Sequence, residues 1–225
     1  MTVDAQAPVD APIDADVSCR LRRAAAGTPG NLIGDTATTA TVGNLDCGPD
    51  ALPIGASVLL SNQNTWGQDG GGGGLRPPGA YQFSLVCGAV TLHGDGTGTV
   101  GTPTTTIRRI GAGNFGWTPA SSSSLATCPP GWILGGLSVH GAEPPGGMPY
   151  FNNVAITCYQ IGVDGIPTGQ QQVVPIVGSG TVTADPASGE CAASGIANAA
   201  AVGVGVYATA GIDAVALSCA PLVCQ

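Results

Sequence analysis

The chain has 225 residues, of which 9% are charged, and its formal net charge of −8 comes from fourteen acids against six arginines. This length fits one large all-β domain or two small domains. Because the chain has no lysine, no basic stripe is available to neutralise phosphates, and nucleic acid is excluded as an expected partner.

The composition predicts short strands joined by turns. The chain contains 37 glycines and 18 prolines, and only 4% of its residues are aromatic. Long helices need Ala, Leu, Glu, Lys and Gln on their surfaces, whereas this chain has two glutamates. Val, Ile and Thr are abundant between clusters of Gly and Pro, as in strands separated by turns. We therefore expect an all-β protein with almost no helix.

The N-terminal segment, residues 1–18, differs from the rest of the chain. Its sequence APVDAPIDAD repeats Ala-Pro-apolar-Asp, which is typical of an extended, solvated tether. Apolar residues also alternate from Val9 to Val17 and lead into Cys19, which is typical of a strand. The two prolines would restrict such a strand to a sheet edge, of this protein or of a neighbouring copy. The tether is the preferred interpretation, and the exchanged strand is the alternative.

Three later segments share one frame that begins and ends with cysteine: Cys47–Cys87, Cys128–Cys158 and Cys191–Cys219. Apolar residues stand five, nine and eleven positions after each opening cysteine, and four and two positions before each closing one. At the eleventh position stand Val58, Val139 and Val202. Apolar residues at every second position indicate a strand with one buried face. Each segment is therefore predicted to be strand, variable loop, strand. This frame explains the uncharged run 192–212 better than a membrane helix does.

The frame also selects one pairing among the many that eight cysteines allow. Pairing within units joins Cys47 to Cys87, Cys128 to Cys158, and Cys191 to Cys219. Cys19 and Cys224 then remain, either to join the two ends of the chain or to bridge neighbouring subunits. The sequence has no CxxC motif and no zinc-binding spacing of histidines, so no metal and no cofactor are expected.

Eight cysteines in an acidic chain without lysine predict an oxidising compartment, which means an extracellular or cell-surface protein. The first ten residues, MTVDAQAPVD, are not a signal peptide. We expect a signal peptide to have been removed from this chain, with Met1 marking a trimmed or recombinant start.

A unit of this size cannot bury its own apolar face, so the three units are expected to share one core. Three equivalent antiparallel sheets that face inward around a pseudo-threefold axis form a β-prism. The predicted organisation is an arm or tether over residues 1–18 and a single β-prism domain over residues 19–225. The repeats within this domain are predicted at about residues 30–100, 101–170 and 171–225.

The second unit resembles the vitelline membrane outer layer protein I family. The resemblance lies in the aromatic-Gly-Trp segment Phe115–Trp117, in Cys-Pro-x-Gly-aromatic at Cys128–Trp132, in the GLSV strand and in Asn152–Cys158. It implies a β-prism of three Greek-key sheets over about residues 30–225. The acidic turn Gly-Asp-Asp-Thr-Ala that family members carry before the closing strand is absent here, so the resemblance implies the scaffold and not a shared ligand.

The first variable loop contains five consecutive glycines, Gly70 to Gly74. No Lys-Ser/Thr follows them, so the stretch is a surface loop and not a phosphate-binding loop. A sugar ring requires an aromatic face and a few polar groups, which the ends of the three loops offer. The candidate ligand-binding residues are Trp66, Asp69, Arg76 and Tyr81 at the first loop, Tyr150 and Asn152 at the second, and Tyr207 and Asp213 at the third.

The sequence contains no recognisable catalytic site. His93 and His140 lie outside any nucleophile-elbow or metalloprotease motif. Glycoside hydrolysis needs two carboxylates at one cleft, and nothing in the sequence brings Glu143 and Glu190 together. We therefore predict a non-enzymatic extracellular module that binds glycans. The alternative is a structural subunit of a coat or filament that assembles with further copies of itself through the N-terminal arm.

Overall fold

The computed structural model describes residues 18–34, 41–60, 80–95, 97–109, 123–142, 150–162, 164–177, 187–208 and 212–225. The strands in these ranges are β1 Ser18–Arg23, β2 Thr28–Gly34, β3 Thr41–Asp46, β4 Leu52–Leu60, β5 Ala80–Gly88, β6 Val90–His93, β7 Gly98–Val100, β8 Thr104–Arg109, β9 Ser124–Thr127, β10 Trp132–Ala142, β11 Tyr150–Ile161, β12 Pro167–Val177, β13 Ala187–Glu190, β14 Ala199–Ala208 and β15 Ile212–Cys224. A single-turn 3₁₀ segment, Cys191–Ser194, precedes β14. No helix in these ranges is long and apolar enough to cross a membrane.

The strands form three antiparallel sheets, each built around one hairpin. The first sheet has the order β8-β5-β4-β9, and the second has the order β12-β11-β10-β13. In the third sheet, β14 and β15 form the hairpin, β3 flanks β14, and β2 pairs with β15. Strands β1, β6 and β7 extend this third sheet beyond the end of β15. The predicted all-β, disulfide-stapled β-prism is confirmed.

Neighbouring units exchange strands around the prism. The strand just before Cys128, β9, pairs with β4 in the first sheet, and the strand just before Cys191, β13, pairs with β10 in the second. Likewise, the strand just before Cys47, β3, pairs with β14 in the third sheet. Each sheet therefore ends in a strand contributed by the next unit. Because β2 and β3 lie near the N-terminus, both ends of the chain are needed to complete the third sheet.

A β-bulge interrupts each hairpin opposite its closing cysteine. The register shifts lie between Pro53 and Gly55, between Leu134 and Gly136, and between Ala201 and Gly203. A bulge reverses which face the following side chains occupy. As a result, the residues beyond the bulges pack into a central core that includes Ala56, Val58, Leu137, Val139, Val204 and Val206. Before the bulges, one face of β10 and of β14 also reaches the central core, at Leu134 and Ala201. The other face of each opening strand, with Leu52, Ile133 and Ala200, forms a second core at one end together with Leu21 and Leu92.

The glycine that follows each bulge lets the exchanged strand pack closely, because a side chain at this position would meet the backbone of that strand. A Cβ on Gly203 would lie 2.6 Å from the carbonyl oxygen of Leu45 on β3. A Cβ on Gly136 would lie 3.2 Å from the carbonyl oxygen of Gly189 on β13, and one on Gly55 would collide with that of Ala126 on β9. The same backbone contact thus excludes a side chain at Gly55 and Gly203 and leaves little room for one at Gly136.

The sequence frame is wrong by four residues in the opening strand of the third unit. Val58 pairs with Phe83 and Val139 pairs with Val154, but the partner of Val215 is Val206 and not Val202. The 3₁₀ turn and the left-handed Gly195 that ends it, with φ 76°, take up the additional residues. A shift of four leaves alternation with period two unchanged, so the misaligned frame still matched apolar residues with apolar residues.

Four disulfides join Cys47 to Cys87, Cys128 to Cys158, Cys191 to Cys219, and Cys19 to Cys224. The first three lie within the units and border the central core. The fourth ties β1 to the end of β15 within one chain, so the bridge to a neighbouring subunit considered for Cys19 and Cys224 is not formed. Strand β1 pairs with β15 on one side and with β6 on the other. The rest of the N-terminal arm, residues 1–17, lies outside the described residues.

Candidate functional site

A groove opens where the third sheet meets the second. Strand β2 pairs with β15, strand β13 pairs with β10, and β2 and β13 lie side by side at the junction. Gly189 on β13 permits this approach, because a Cβ there would lie 2.6 Å from Cδ1 of Ile33 on β2. Between the two strands lies a recess with a volume of about 470 Å³. This volume is in the range of small-molecule sites.

The recess has an apolar floor and a polar rim. Ile33, Leu217 and Cys219 form the floor, and each is at most 3% exposed. Around the rim stand exposed Asn31 and Ser188. Such a combination suits a ligand that has an apolar face and hydrogen-bonding groups at its edges.

A second recess of about 310 Å³ lies on the other side of the 3₁₀ turn. Tyr159, Gln171 and Asn198 line it, and Ile196 lines both recesses. Asn198 has a left-handed backbone, with φ 56°, at the turn before β14. We refer to the two recesses together as the Glu190 groove.

Glu190 is held in place between the two recesses. The Tyr159 hydroxyl donates a hydrogen bond of 2.9 Å to Oε2 of Glu190, and Nε2 of Gln171 donates one of 3.1 Å to the same oxygen. The Tyr159 ring lies against Gly135, where a Cβ would collide with it. Because a carboxylate offers about four acceptor positions, the two bonds leave Glu190 with capacity for a ligand.

The phenol of Tyr159 remains a donor at all ordinary pH values. Burial, together with the hydrogen bond to Glu190 and its negative charge, raises the pKa of Tyr159 well above the usual tyrosine value. The side chain is only 3% exposed. The protonated phenol therefore fixes the position of the Glu190 carboxylate.

Glu190 is the one charged residue among the described residues that line the groove. Two arginines of β1 are paired with acids outside the groove, Arg22 with Asp50 at 3.0 Å and Arg23 with Asp46 at 2.7 Å. In the described part of the chain, no three His, Cys, Asp or Glu side chains are placed to hold a metal ion.

The candidate residues chosen from the sequence lie elsewhere. Trp66, Asp69 and Arg76, as well as Glu143, fall outside the described residues. Tyr81, Asn152 and Asp213 share one position of the fold, because each is the extra residue of a second bulge in its hairpin. The backbone alone places Tyr81 and Asn152, whereas the Asp213 side chain is described and is 3% exposed.

The two remaining candidates are strand residues. Tyr150 pairs with Ala142 at the start of β11, and half-buried Tyr207 pairs with Ala214. The opening strand of each hairpin runs from the second core, at Leu52, Ile133 and Ala200, to the opposite end of the prism, which we call the loop end. The candidates that the structure describes lie at that loop end, and none of them lines the Glu190 groove.

Sequence reasoning missed the position of Glu190 in the groove because it treated this residue only as a partner for Glu143 in hydrolysis. A signal was present in the cysteine frame: Glu190 immediately precedes an opening cysteine, and Tyr159 immediately follows a closing one. The exchange of β13 into the second sheet is what brings these two residues into contact.

No known family model matches the chain, and neither does any curated protein. The resemblance to the vitelline membrane outer layer protein I family therefore stays a prediction. Solved structures with a similar chain path include the agglutinin of Calystegia sepium, at 11% identity and a TM-score of 0.48, covering 86% of this chain and 95% of that one. Frutalin from Artocarpus incisa has 15% identity and a TM-score of 0.41 over 86% of this chain and 95% of its own. A single-chain recombinant jacalin has 14% identity and a TM-score of 0.40 over 86% and 94%. Likenesses at these values carry no information about a ligand.

Proposed function

We propose that this protein is a non-enzymatic, extracellular β-prism module that binds carbohydrate in the Glu190 groove. The observation that carries the proposal is the oriented carboxylate between two recesses. Sugar hydroxyls are donors that such a carboxylate accepts, and the amide of Asn31 and the hydroxyl of Ser188 add further polar contacts on the rim. The apolar floor formed by Ile33 and Leu217 suits the C–H face of a sugar ring.

A binding role is favoured over hydrolysis because Glu190 is the one carboxylate among the described groove residues. Glycosidases need a second carboxylate at about 5–10 Å from the first. Tyr159 does not replace it as a base, because its raised pKa keeps the phenol protonated. The described part of the groove therefore orients a ligand without the acid–base pair that cleavage requires.

The extracellular assignment rests on the four disulfides. Such bonds persist in oxidising compartments and are rare in the cytosol. Three of them tie the hairpins to the central core, so the folded groove depends on them.

A second candidate site for the same function is the first variable loop, whose sequence contains Trp66, Asp69 and Arg76. An aromatic ring and a few polar groups are what a sugar ring requires. Glycan binding by variants that each alter one of the two locations shows which location is the site.

The pseudo-threefold symmetry indicates which substitution in the groove the fold should tolerate. Ser188 on β13 pairs with Ser138, and Leu125 on β9 occupies the corresponding position opposite Ser57. Leu125 is 60% exposed, so the fold accepts leucine at this position. Ser188→Leu should therefore obstruct the larger recess without disturbing the prism. Leu125→Ser is the matched control outside the groove.

The wild-type protein should bind a defined subset of a broad glycan array, and titration calorimetry with a bound sugar should give its Kd. Ser188→Leu should weaken that binding at least about tenfold, whereas Leu125→Ser and Trp66→Ala should leave it unchanged. Loss in Trp66→Ala with retention in Ser188→Leu would move the site to the first variable loop. An array without any bound glycan would refute carbohydrate binding.

A further inference from the structure

Among the described residues, the Glu190 groove presents a negative charge without a compensating cation. None of the described residues that line either recess is an arginine or a histidine, and Glu190 receives its two hydrogen bonds from neutral donors. The chain as a whole carries −8. A negative ligand would thus meet repulsion both in the groove and from the rest of the protein.

The position of Glu190 strengthens this effect. The side chain is partly buried at the junction of two sheets, where a charge is screened less than it is on an open surface. Its orientation is fixed by Tyr159 and Gln171, so a ligand does not have to order it. An ammonium group that reached it would form a charge-assisted hydrogen bond, which is roughly twice as strong as a neutral one.

We propose that Glu190 selects sugars that carry a free amino group, and that the preferred ligand is an oligosaccharide containing a hexosamine in its cationic form. This inference rests on the proposed function and adds the chemical class of the ligand. The amine would lie against the Glu190 carboxylate, and neighbouring sugar units would occupy the two recesses that meet at Ile196. Uronic acid, sulfated and sialylated glycans are excluded by the same charge.

Three tetrasaccharides with the same β-1,4 linkage test the proposal, because they differ only at C2. One carries a hydroxyl group, one an N-acetyl group and one a free amine. The full-length wild-type protein should bind the amine form at least about tenfold more tightly than the other two. Raising the salt concentration should reduce that preference, because screening weakens a partly exposed charge pair.

Glu190→Gln removes the charge but keeps an oxygen that can accept from Tyr159 and Gln171. The control is Asp164→Asn, which changes the net charge equally at an exposed turn and keeps the acceptor for the 3.0 Å bond from the Ile166 amide. The preference for the amine should vanish in Glu190→Gln and persist in Asp164→Asn, with both variants folded by circular dichroism.

The outcomes separate this inference from the proposed function. Equal or weaker binding of the amine form would overturn selection by charge, while carbohydrate binding would stand on the other two sugars. An amine preference that survives in Glu190→Gln would show that another group makes the selection. If none of the three sugars binds, the amino-sugar proposal fails, and the glycan array decides separately whether the protein binds carbohydrate at all.

Discussion

Replacing Gly203 with alanine tests whether β3 from the N-terminal part of the chain closes the third sheet. Gly203 pairs with Asp46 on β3 and with Ser218 on β15, so it lies in the middle of the sheet. An added Cβ would lie 2.6 Å from the carbonyl oxygen of Leu45, where a comfortable contact is about 3.5 Å. Because the obstructing atom belongs to the backbone, β3 would have to move by nearly 1 Å (roughly the difference between the two distances).

The expected loss of stability follows from two opposing effects. Overpacking of this kind costs about 1–3 kcal/mol. Alanine also restricts the unfolded chain more than glycine does, which stabilises the folded state by about 0.4–1 kcal/mol. Gly203→Ala should therefore reduce the free energy of unfolding by about 1–2 kcal/mol, measured by denaturant titration with the disulfides intact. Hydrogen exchange should also become faster at the amides of β3.

Gly101→Ala is the matched control. A Cβ at Gly101 would meet the Cβ of Ala89 at 3.5 Å, which is an ordinary contact. Only the effect on the unfolded chain remains, so stability should be unchanged or raised by up to about 1 kcal/mol. If Gly203→Ala is as stable as Gly101→Ala, then β3 is not held against β14 in solution, and the exchange of strands around the prism is refuted.

Two further predictions concern the Glu190 groove and the disulfide between the chain ends. Tyr159→Phe keeps the ring on Gly135 but removes the bond to Glu190, which should cost about 1.5–3 kcal/mol. The raised pKa of Tyr159 means that the unfolded chain releases this proton first, so the stabilisation is complete below about pH 10 and falls as the pH rises further. Denaturation midpoints should decline more steeply above that pH in the wild type than in Tyr159→Phe; parallel curves would contradict the contact. Replacing Cys19 and Cys224 with serine opens a link across a sequence separation of 205. The other three disulfides shorten this loop to about half its length, so the expected cost is about 5 kcal/mol. An unchanged thermal midpoint would show that the link does not constrain the unfolded chain.

The hairpins of this fold could be predicted from the sequence because their signals are local. Alternation between cysteines identified both strands of each unit, and a strand with one buried face needs no knowledge of its partner. The same property explains the error at Val202. A frame with period two cannot detect a shift of four residues, and only the 3₁₀ turn at Cys191–Ser194 shows where the additional residues lie.

The site could not be predicted in the same way. Glu190 and Tyr159 are 31 positions apart, and no local pattern indicates that β13 leaves its own unit to pair with β10. The predicted residues at the loop ends were chosen because they border variable loops. The strand register shows that Tyr81, Asn152 and Asp213 occupy one equivalent position. The border of a loop gives no information about the junctions between sheets.

The sequence by itself determined the fold class, the three hairpins and their inward faces, because strand periodicity and the spacing of cysteines depend on neighbouring residues alone. Only the tertiary structure decided which strand completes each sheet, since edge pairing depends on close backbone contacts such as that of Gly203 with Leu45. That pairing brings Glu190, Tyr159 and Gln171 together from three strands, and the groove exists because separate sheets meet there.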